Sequence, residues 1–253
     1  MNRTQVTLDT NRGYRISCLD GAVAGQKALI LCLHGFAGSK KSPTIERLHN
    51  VISALKVGTF TFDWPGHGES DAPFSALTVE NCMQDMAEVC EYLRGKYKVP
   101  LWCFATSLGG FLAMSYHLRH PETFEQILLR SPALKMGEVM KAAMSKERFE
   151  RLMQGEELDF GHDRPLRLTR SYFEDLREHD IFDAPPLHPE KILIIHGDQD
   201  QTVPISYSQR YSEQNGIPLH ILKGAGHEYD NPGDQEWIMR EAVEFFSVRK
   251  ADE

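Results

Sequence analysis

The sequence predicts an α/β chain with a mostly parallel central sheet, flanked by helices and interrupted once by a small helical insertion. Three observations carry that reading. Apolar runs of strand length alternate with stretches of helical spacing along most of the 253 residues. Runs such as Ala28–Leu33 are continuously apolar, as strands buried on both faces require. Between Pro132 and Pro189 the alternation gives way to charged, amphipathic segments. That places an insertion at about 133–188 within one domain spanning 1–253.

Taken in order, Val6–Leu8 and Tyr14–Cys18 form two opening strands joined by a turn at Asn11–Gly13. Strand Ala28–Leu33 follows, then a helix opened by Ser42-Pro43 and running to about Leu55. Strand Gly58–Asp63 precedes a helix capped by Thr78, with Cys82, Met86, Val89, Cys90 and Leu93 on one face and Gly95 as its stop. A strand from Leu101 and a helix stopped by Pro121 come next, then strand Gln126–Arg130. Inside the insertion, helical spacing covers Gly137–Met153 and Ser171–His179, and Ser171 with Glu174 has capping-box spacing. Strand Lys191–His196, helix Ile205–Gln214, strand Leu219–Leu222 and a helix from Gln235 to about Val248 close the chain.

The stretch Leu101-Trp-Cys-Phe-Ala-Thr-Ser107-Leu-Gly-Gly organises the rest. An apolar strand passes through a small-residue turn directly into a helix, so Ser107 stands at a sheet end above a helix N-terminus. Ala105 and Gly109 flank it at the spacing of a nucleophile elbow, one methyl group from the usual G-x-S-x-G. A serine hydroxyl needs a base, and the base needs an orienting acid.

On these residues the sequence resembles the α/β-hydrolases, and three further motifs extend the likeness. Gly197-Asp-Gln-Asp200-Gln-Thr-Val-Pro204 is similar to the family's acid loop, which selects Asp200 over Asp198. Gly224-Ala-Gly-His227 is similar to its histidine loop, and the order Ser…Asp…His agrees. His34-Gly35-Phe36-Ala37-Gly38 resembles its oxyanion loop, which implies the backbone N–H groups of Phe36 and Leu108 as donors. Asp63-Trp-Pro-Gly-His-Gly-Glu-Ser70 matches another signature and is read as loop-shaping. His34 is read as a brace for the oxyanion loop, and His117 and His120 as cations closing a helix C-terminus. The insertion corresponds to the family's lid.

The resemblance implies a serine hydrolase that cleaves carboxylic esters through an acyl-enzyme, similar to small bacterial cinnamoyl and feruloyl esterases. A serine aminopeptidase of the same fold is the alternative, with Glu138, Glu156, Glu157 and Asp159 available to hold a substrate amine. A non-catalytic ligand-binding protein is the third reading. Trp64, Tyr172, Phe173 and Tyr207 are candidates for an acyl pocket, and Phe149, Phe160, Tyr172 and Phe173 for the lid's apolar lining. The expected partner is a small-molecule ester, and the oligomeric state is left open.

Composition sets bounds. A net charge of -8 without a basic tract argues against nucleic acid or an anionic membrane. Cys18, Cys32, Cys82, Cys90 and Cys103 are scattered in apolar runs and read as reduced core residues. No Cys/His cluster has metal spacing, so neither metal nor cofactor is expected. The polar start Met-Asn-Arg-Thr-Gln has no signal-peptide core, which makes a cytoplasmic location the expectation.

Overall fold

Strand and helix positions follow the hydrophobic pattern closely in the computed structural model, which describes residues 3–160 and 166–247. In chain order the first half holds β1 (Thr4–Asp9), β2 (Arg15–Gly21), β3 (Ala28–Leu33), α1 (Pro43–Ser53), β4 (Val57–Phe62), α2 (Val79–Tyr97), β5 (Leu101–Thr106), α3 (Leu108–Arg119) and β6 (Gln126–Arg130). The insertion contributes α4 (Met136–Ala142), α5 (Lys146–Met153), a short antiparallel pair β7 (Leu158–Asp159) and β8 (Arg167–Leu168), and α6 (Arg170–Glu178). Then come β9 (Ile192–Gly197), α7 (Ile205–Asn215), β10 (Leu219–Leu222) and α8 (Asp234–Ser247). The expected end of the last helix at Val248 lies outside the described residues.

Eight strands form one sheet in the order β1-β2-β4-β3-β5-β6-β9-β10. The pairs from β4 to β10 are parallel, and the β1–β2 hairpin adds an antiparallel edge. The period-2 alternation of a strand explains why the core has two halves. In β3, Leu29, Leu31 and Leu33 pack with α2 and α3, while Ala28, Ile30 and Cys32 pack with α1 and α8. All five cysteines are free and buried in these layers. No helix among the described residues is long and apolar enough to cross a membrane.

Several local expectations change, each for an identifiable reason. Helix α2 runs through Gly95 to Tyr97 because Lys96 and Tyr97 both hold Asp20 of β2, and it ends at Lys98 in the left-handed region. Ser42 precedes α1 without a side-chain cap bond, whereas Thr78 caps α2 by accepting from the Asn81 amide at 3.1 Å. The stretch Gly137–Met153 is two helices, because Ser145 caps a new one by accepting from the Arg148 amide. Thr169, not Ser171, caps α6: Thr169 has the extended backbone that an N-cap needs and accepts from Tyr172, while Ser171 turns to the Thr169 hydroxyl. Glu174 pairs with Arg170 instead of closing a box. His117 is buried and donates through Nε2 to the Leu187 carbonyl, and burial pushes its pKa down. It therefore ties α3 to the end of the lid as a neutral ring, not as a cation for the helix dipole.

Candidate active site

Strand β5 turns into α3 at Ser107, whose backbone sits at φ 52° and ψ −116°. A positive φ is costly for a residue with a Cβ and persists only where neighbours fix it. Here the Ser107 amide donates to the Arg130 carbonyl at 3.1 Å, and the Ser107 carbonyl accepts from Gly110, Phe111 and Ala133. The turn is tight enough that a Cβ at Gly109 would stand 2.6 Å from the Leu33 carbonyl oxygen. Ala105 is fully buried within β5, where the strand accommodates its methyl group.

The loop after β3 passes directly beside the serine. A Cβ on Gly35 would lie 3.1 Å from the Ser107 Cβ, so a larger residue would crowd the nucleophile. Among the described residues, the Phe36 and Leu108 amides donate to no other group of the chain; Phe36 lines the cleft, and Leu108 follows Ser107 directly. His34 braces this loop. Its Nδ1 donates to the Gly35 carbonyl at 2.8 Å, and its Nε2 accepts from the Trp64 amide at 3.3 Å. Trp64 Nε1 donates back to the His34 carbonyl at 3.0 Å. Burial pushes the His34 pKa down, which matches the neutral tautomer these bonds define.

Beneath lies an ion cluster that the sequence did not suggest. Lys40 is fully buried, with Nζ 2.5 Å from Asp63 Oδ2, 2.8 Å from Glu69 Oε2 and 2.9 Å from Ser17 Oγ. Asp63 also accepts from the Lys40 and Glu69 amides at 2.7 and 2.8 Å. The Asp63–Ser70 motif thus fastens the oxyanion loop from below. A lysine after Gly-Ser reads as solvated, so no pattern pointed to it.

The acid loop follows β9. Asp200 Oδ2 accepts from His227 Nδ1 at 2.7 Å, while Oδ1 accepts from the Thr202 and Val203 amides at 2.9 and 2.7 Å. A second histidine, His196 in β9, also donates through Nε2 to Asp200 Oδ2 at 3.1 Å and to the Val203 carbonyl, and its Nδ1 accepts from Ser208 Oγ at 2.8 Å. Burial alone would raise the Asp200 pKa, but the bonds from His196, His227 and Val203 hold it well below the usual carboxylate range. Asp198 points elsewhere, accepting from the Gly224 amide at 2.6 Å. His196 did leave a signal in the sequence, as the one ionisable side chain in the apolar run from Ile192.

Ser107 and His227 face one cleft of about 420 Å³. Among the described residues no hydrogen bond joins their side chains, a common state when substrate is absent. From the lid this cleft is lined by apolar residues (Met136, Val139, Met140, Ala143 and Phe160), and the rest of its lining includes Ser42, Thr44, Arg130, Thr202, Glu228 and Asp230. A separate cavity of about 480 Å³ lies inside the lid, on the other side of α4, lined by Phe149, Met153 and Phe173 among others. Of the expected apolar lining residues, Phe160 alone reaches the catalytic cleft. Tyr172 is buried against Phe74, Trp64 serves the His34 loop, and Tyr207 donates to Glu138. The lid acids are also engaged elsewhere: Glu156 pairs with Arg151, Glu157 with Arg167, and neither they nor Asp159 line the cleft. No group of three or more His, Cys, Asp or Glu side chains able to hold a metal occurs among the described residues.

A parallel sheet with a strained serine elbow, a glycine-rich loop beside it and an acid–histidine pair at the same edge defines an α/β-hydrolase. The family described as "Serine aminopeptidase, S33" matches residues 24–162, and the chain belongs to it. A Bacillus subtilis protein named as a 2-succinyl-6-hydroxy-2,4-cyclohexadiene-1-carboxylate synthase is 32% identical over 177 residues, 68% of this chain and 58% of that protein. Protein phosphatase methylesterase 1 of Candida albicans is 36% identical over 95 residues, 37% of this chain and 26% of its own. The matched regions thus span little more than half of the first relative and about a quarter of the second. Among solved structures, Est1E of Butyrivibrio proteoclasticus with ferulic acid bound superposes with a TM-score of 0.83 at 24% identity, over 96% of this chain and 98% of that one.

Proposed function

We propose that this hydrolase cleaves small carboxylic esters by way of an acyl-enzyme on Ser107. The observation that carries the reading is the 2.7 Å bond from His227 Nδ1 to a buried, ionised Asp200, with His227 and the strained Ser107 in one cleft. Asp200 fixes the imidazole so that Nε2 is the basic nitrogen, and His227 takes the Ser107 proton as the hydroxyl attacks the ester carbonyl. The Phe36 and Leu108 amides hold the developing oxyanion. The alcohol leaves with the proton from His227, and water repeats the sequence to release the acid.

The two parts of the cleft lining divide the substrate. The apolar lid side suits an acyl group, and ferulic acid in the structurally similar Est1E supports an aromatic one. The methylesterase relative supports an ester over an amide. The protein would work in the cytoplasm on a small molecule.

One observation favours the aminopeptidase reading. Glu228 and Asp230 stand exposed at the cleft without an ion pair among the described residues, in position for a cationic amine. A panel of acetyl, butyryl and feruloyl esters against aminoacyl anilides and dipeptides decides between the two. Ester turnover with labelling of Ser107 by a fluorophosphonate, both lost in Ser107→Ala, supports the proposal. Anilide turnover that falls in Glu228→Gln/Asp230→Asn supports the alternative, and an adduct on another serine such as Ser131 removes the nucleophile assignment.

A further inference from the structure

Arg130 closes β6 beside both catalytic strands, opposite Thr106 of β5 and paired with Ile195 of β9. It is 4% exposed, yet among the described residues it forms no ion pair. Its carbonyl accepts the Ser107 amide at 3.1 Å, and its Nη2 donates to the His227 carbonyl at 2.9 Å. The guanidinium lies 4.6 Å over the Tyr229 ring, and the Tyr229 hydroxyl shares a 3.2 Å hydrogen bond with Ser131 Oγ. Its Nε is buried without a partner.

A buried cation that the Glu228, Asp200 and Asp230 carboxylates offset only at a distance, and that keeps an unused donor, is destabilising, and an apolar residue of similar size would fit a sheet end at lower cost. The position of its contacts gives the reason for keeping it. The His227 loop is tied on either side of the histidine, by Asp198 to the Gly224 amide, by the Gln199 amide to the Ala225 carbonyl and by Gln235 to the Glu228 and Tyr229 carbonyls. It leaves the edge strand β10 through Gly224, which has a positive φ, and Gly226. Asp200 holds the His227 ring, while among the described residues the His227 carbonyl accepts from Arg130 alone, so Arg130 is the one side chain that fixes the backbone of the base itself.

We propose that Arg130 is a positioning residue that clamps the His227 backbone to the strand end from which Ser107 hangs, so that base and nucleophile keep one separation. The donor Nη2 sets the distance, and the cation over the Tyr229 ring, a contact an ammonium can also make, keeps that donor in place. This rests on the serine-hydrolase reading above, because it acts through His227.

The test compares Arg130→Met and Arg130→Lys with the wild-type chain. On a small neutral acetate ester, Arg130→Met should lose kcat by about thirtyfold, since a misplaced base loses a large part of acid–base catalysis. KM should stay within about twofold, because Arg130, although it borders the cleft, has no charge to bind on a neutral acetate and acts through His227. Arg130→Lys, which can still reach the His227 carbonyl, should recover most of kcat. The rate of fluorophosphonate labelling of Ser107 should follow kcat in both variants. The downfield proton resonance of the His227–Asp200 hydrogen bond should broaden in Arg130→Met and stay sharp in Arg130→Lys. Equal losses in both variants that track their melting temperatures would reduce Arg130 to a packing role and overturn the clamp. A rise in KM confined to esters of acidic acyl groups, with kcat intact, would overturn it in favour of an anion subsite. Absence of ester turnover in the wild-type chain would sink the esterase reading instead, and the proton resonance would still report on the clamp.

Discussion

At the sheet edge, Asp200 has four hydrogen-bond donors, Lys40 has three acceptors, and His34 is bonded through both ring nitrogens. In the lid above it, α4, α5 and α6 are seven, eight and nine residues long. Their ion pairs, Lys146–Glu150, Arg151–Glu156 and Arg170–Glu174, lie in the open. A buried polar network has few arrangements that satisfy every member, so it fixes atoms to fractions of an ångström. Exposed pairs are screened by solvent and fix very little. The edge therefore holds its side chains fixed, as the proposed chemistry needs, while the lid leaves its own exchangeable.

The sharpest way to break this comparison is at the acid. Asp200→Asn should lower kcat by about ten-thousandfold, as in the serine-protease template, while Asp198→Asn should stay within about tenfold. Both are measured on a small acetate ester with circular dichroism confirming the fold, and a reversed order would transfer the orienting role to Asp198.

Stability should divide along the same line. Lys40→Met leaves Asp63 buried and without its cation, so it should cost about 3–5 kcal/mol by urea unfolding. Arg151→Ala, at the exposed lid pair, should leave the urea midpoint where it is. A Lys40→Met protein as stable as wild type would show that the cluster beneath the oxyanion loop is dispensable.

Acid should affect the edge before the lid. The Asp200 pKa is depressed in the folded chain, so its contribution is fully present above the unfolded value of about 3.9 and fades as pH falls toward the folded value. Urea midpoints taken downward from pH 7 should fall in wild type and flatten in Asp200→Asn. Identical slopes would mean that other carboxylates dominate acid unfolding.

The smallest effect is expected in the lid. Phe160→Ala or Met140→Ala should shift relative kcat/KM among acetyl, butyryl and feruloyl esters by about 1–3 kcal/mol. Phe173→Ala and Tyr172→Ala, which face away from the cleft, should leave those ratios unchanged. An equal shift from both pairs would show that the lid cavity and the cleft behave as one pocket.

What was legible in the sequence followed from periodicity and spacing. Strand Gln126–Arg130 could be placed to the residue because an apolar run bounded by polar ones has few registers. Ser107, Asp200 and His227 stand at strand ends, where motif and alternation coincide. Arg130 and Lys40 stayed hidden for one shared reason, and the burial of His196 showed only as a break in an apolar run. Each is an ionisable side chain whose burial depends on partners distant in the chain, and no local pattern encodes those. The lid failed differently, since Ser145 and Thr169 won as caps against neighbours of nearly equal propensity. Aromatic residues there say only that something apolar is covered, not which cavity.

Met136 has a consequence for how this chain could change its diet. Its side chain borders the catalytic cleft on one flank of α4 and the larger lid cavity on the other. A single partition of that kind is the cheapest thing for evolution or an engineer to remove. Shortening it to alanine would take wall from both spaces at once, without touching Ser107, Asp200 or His227.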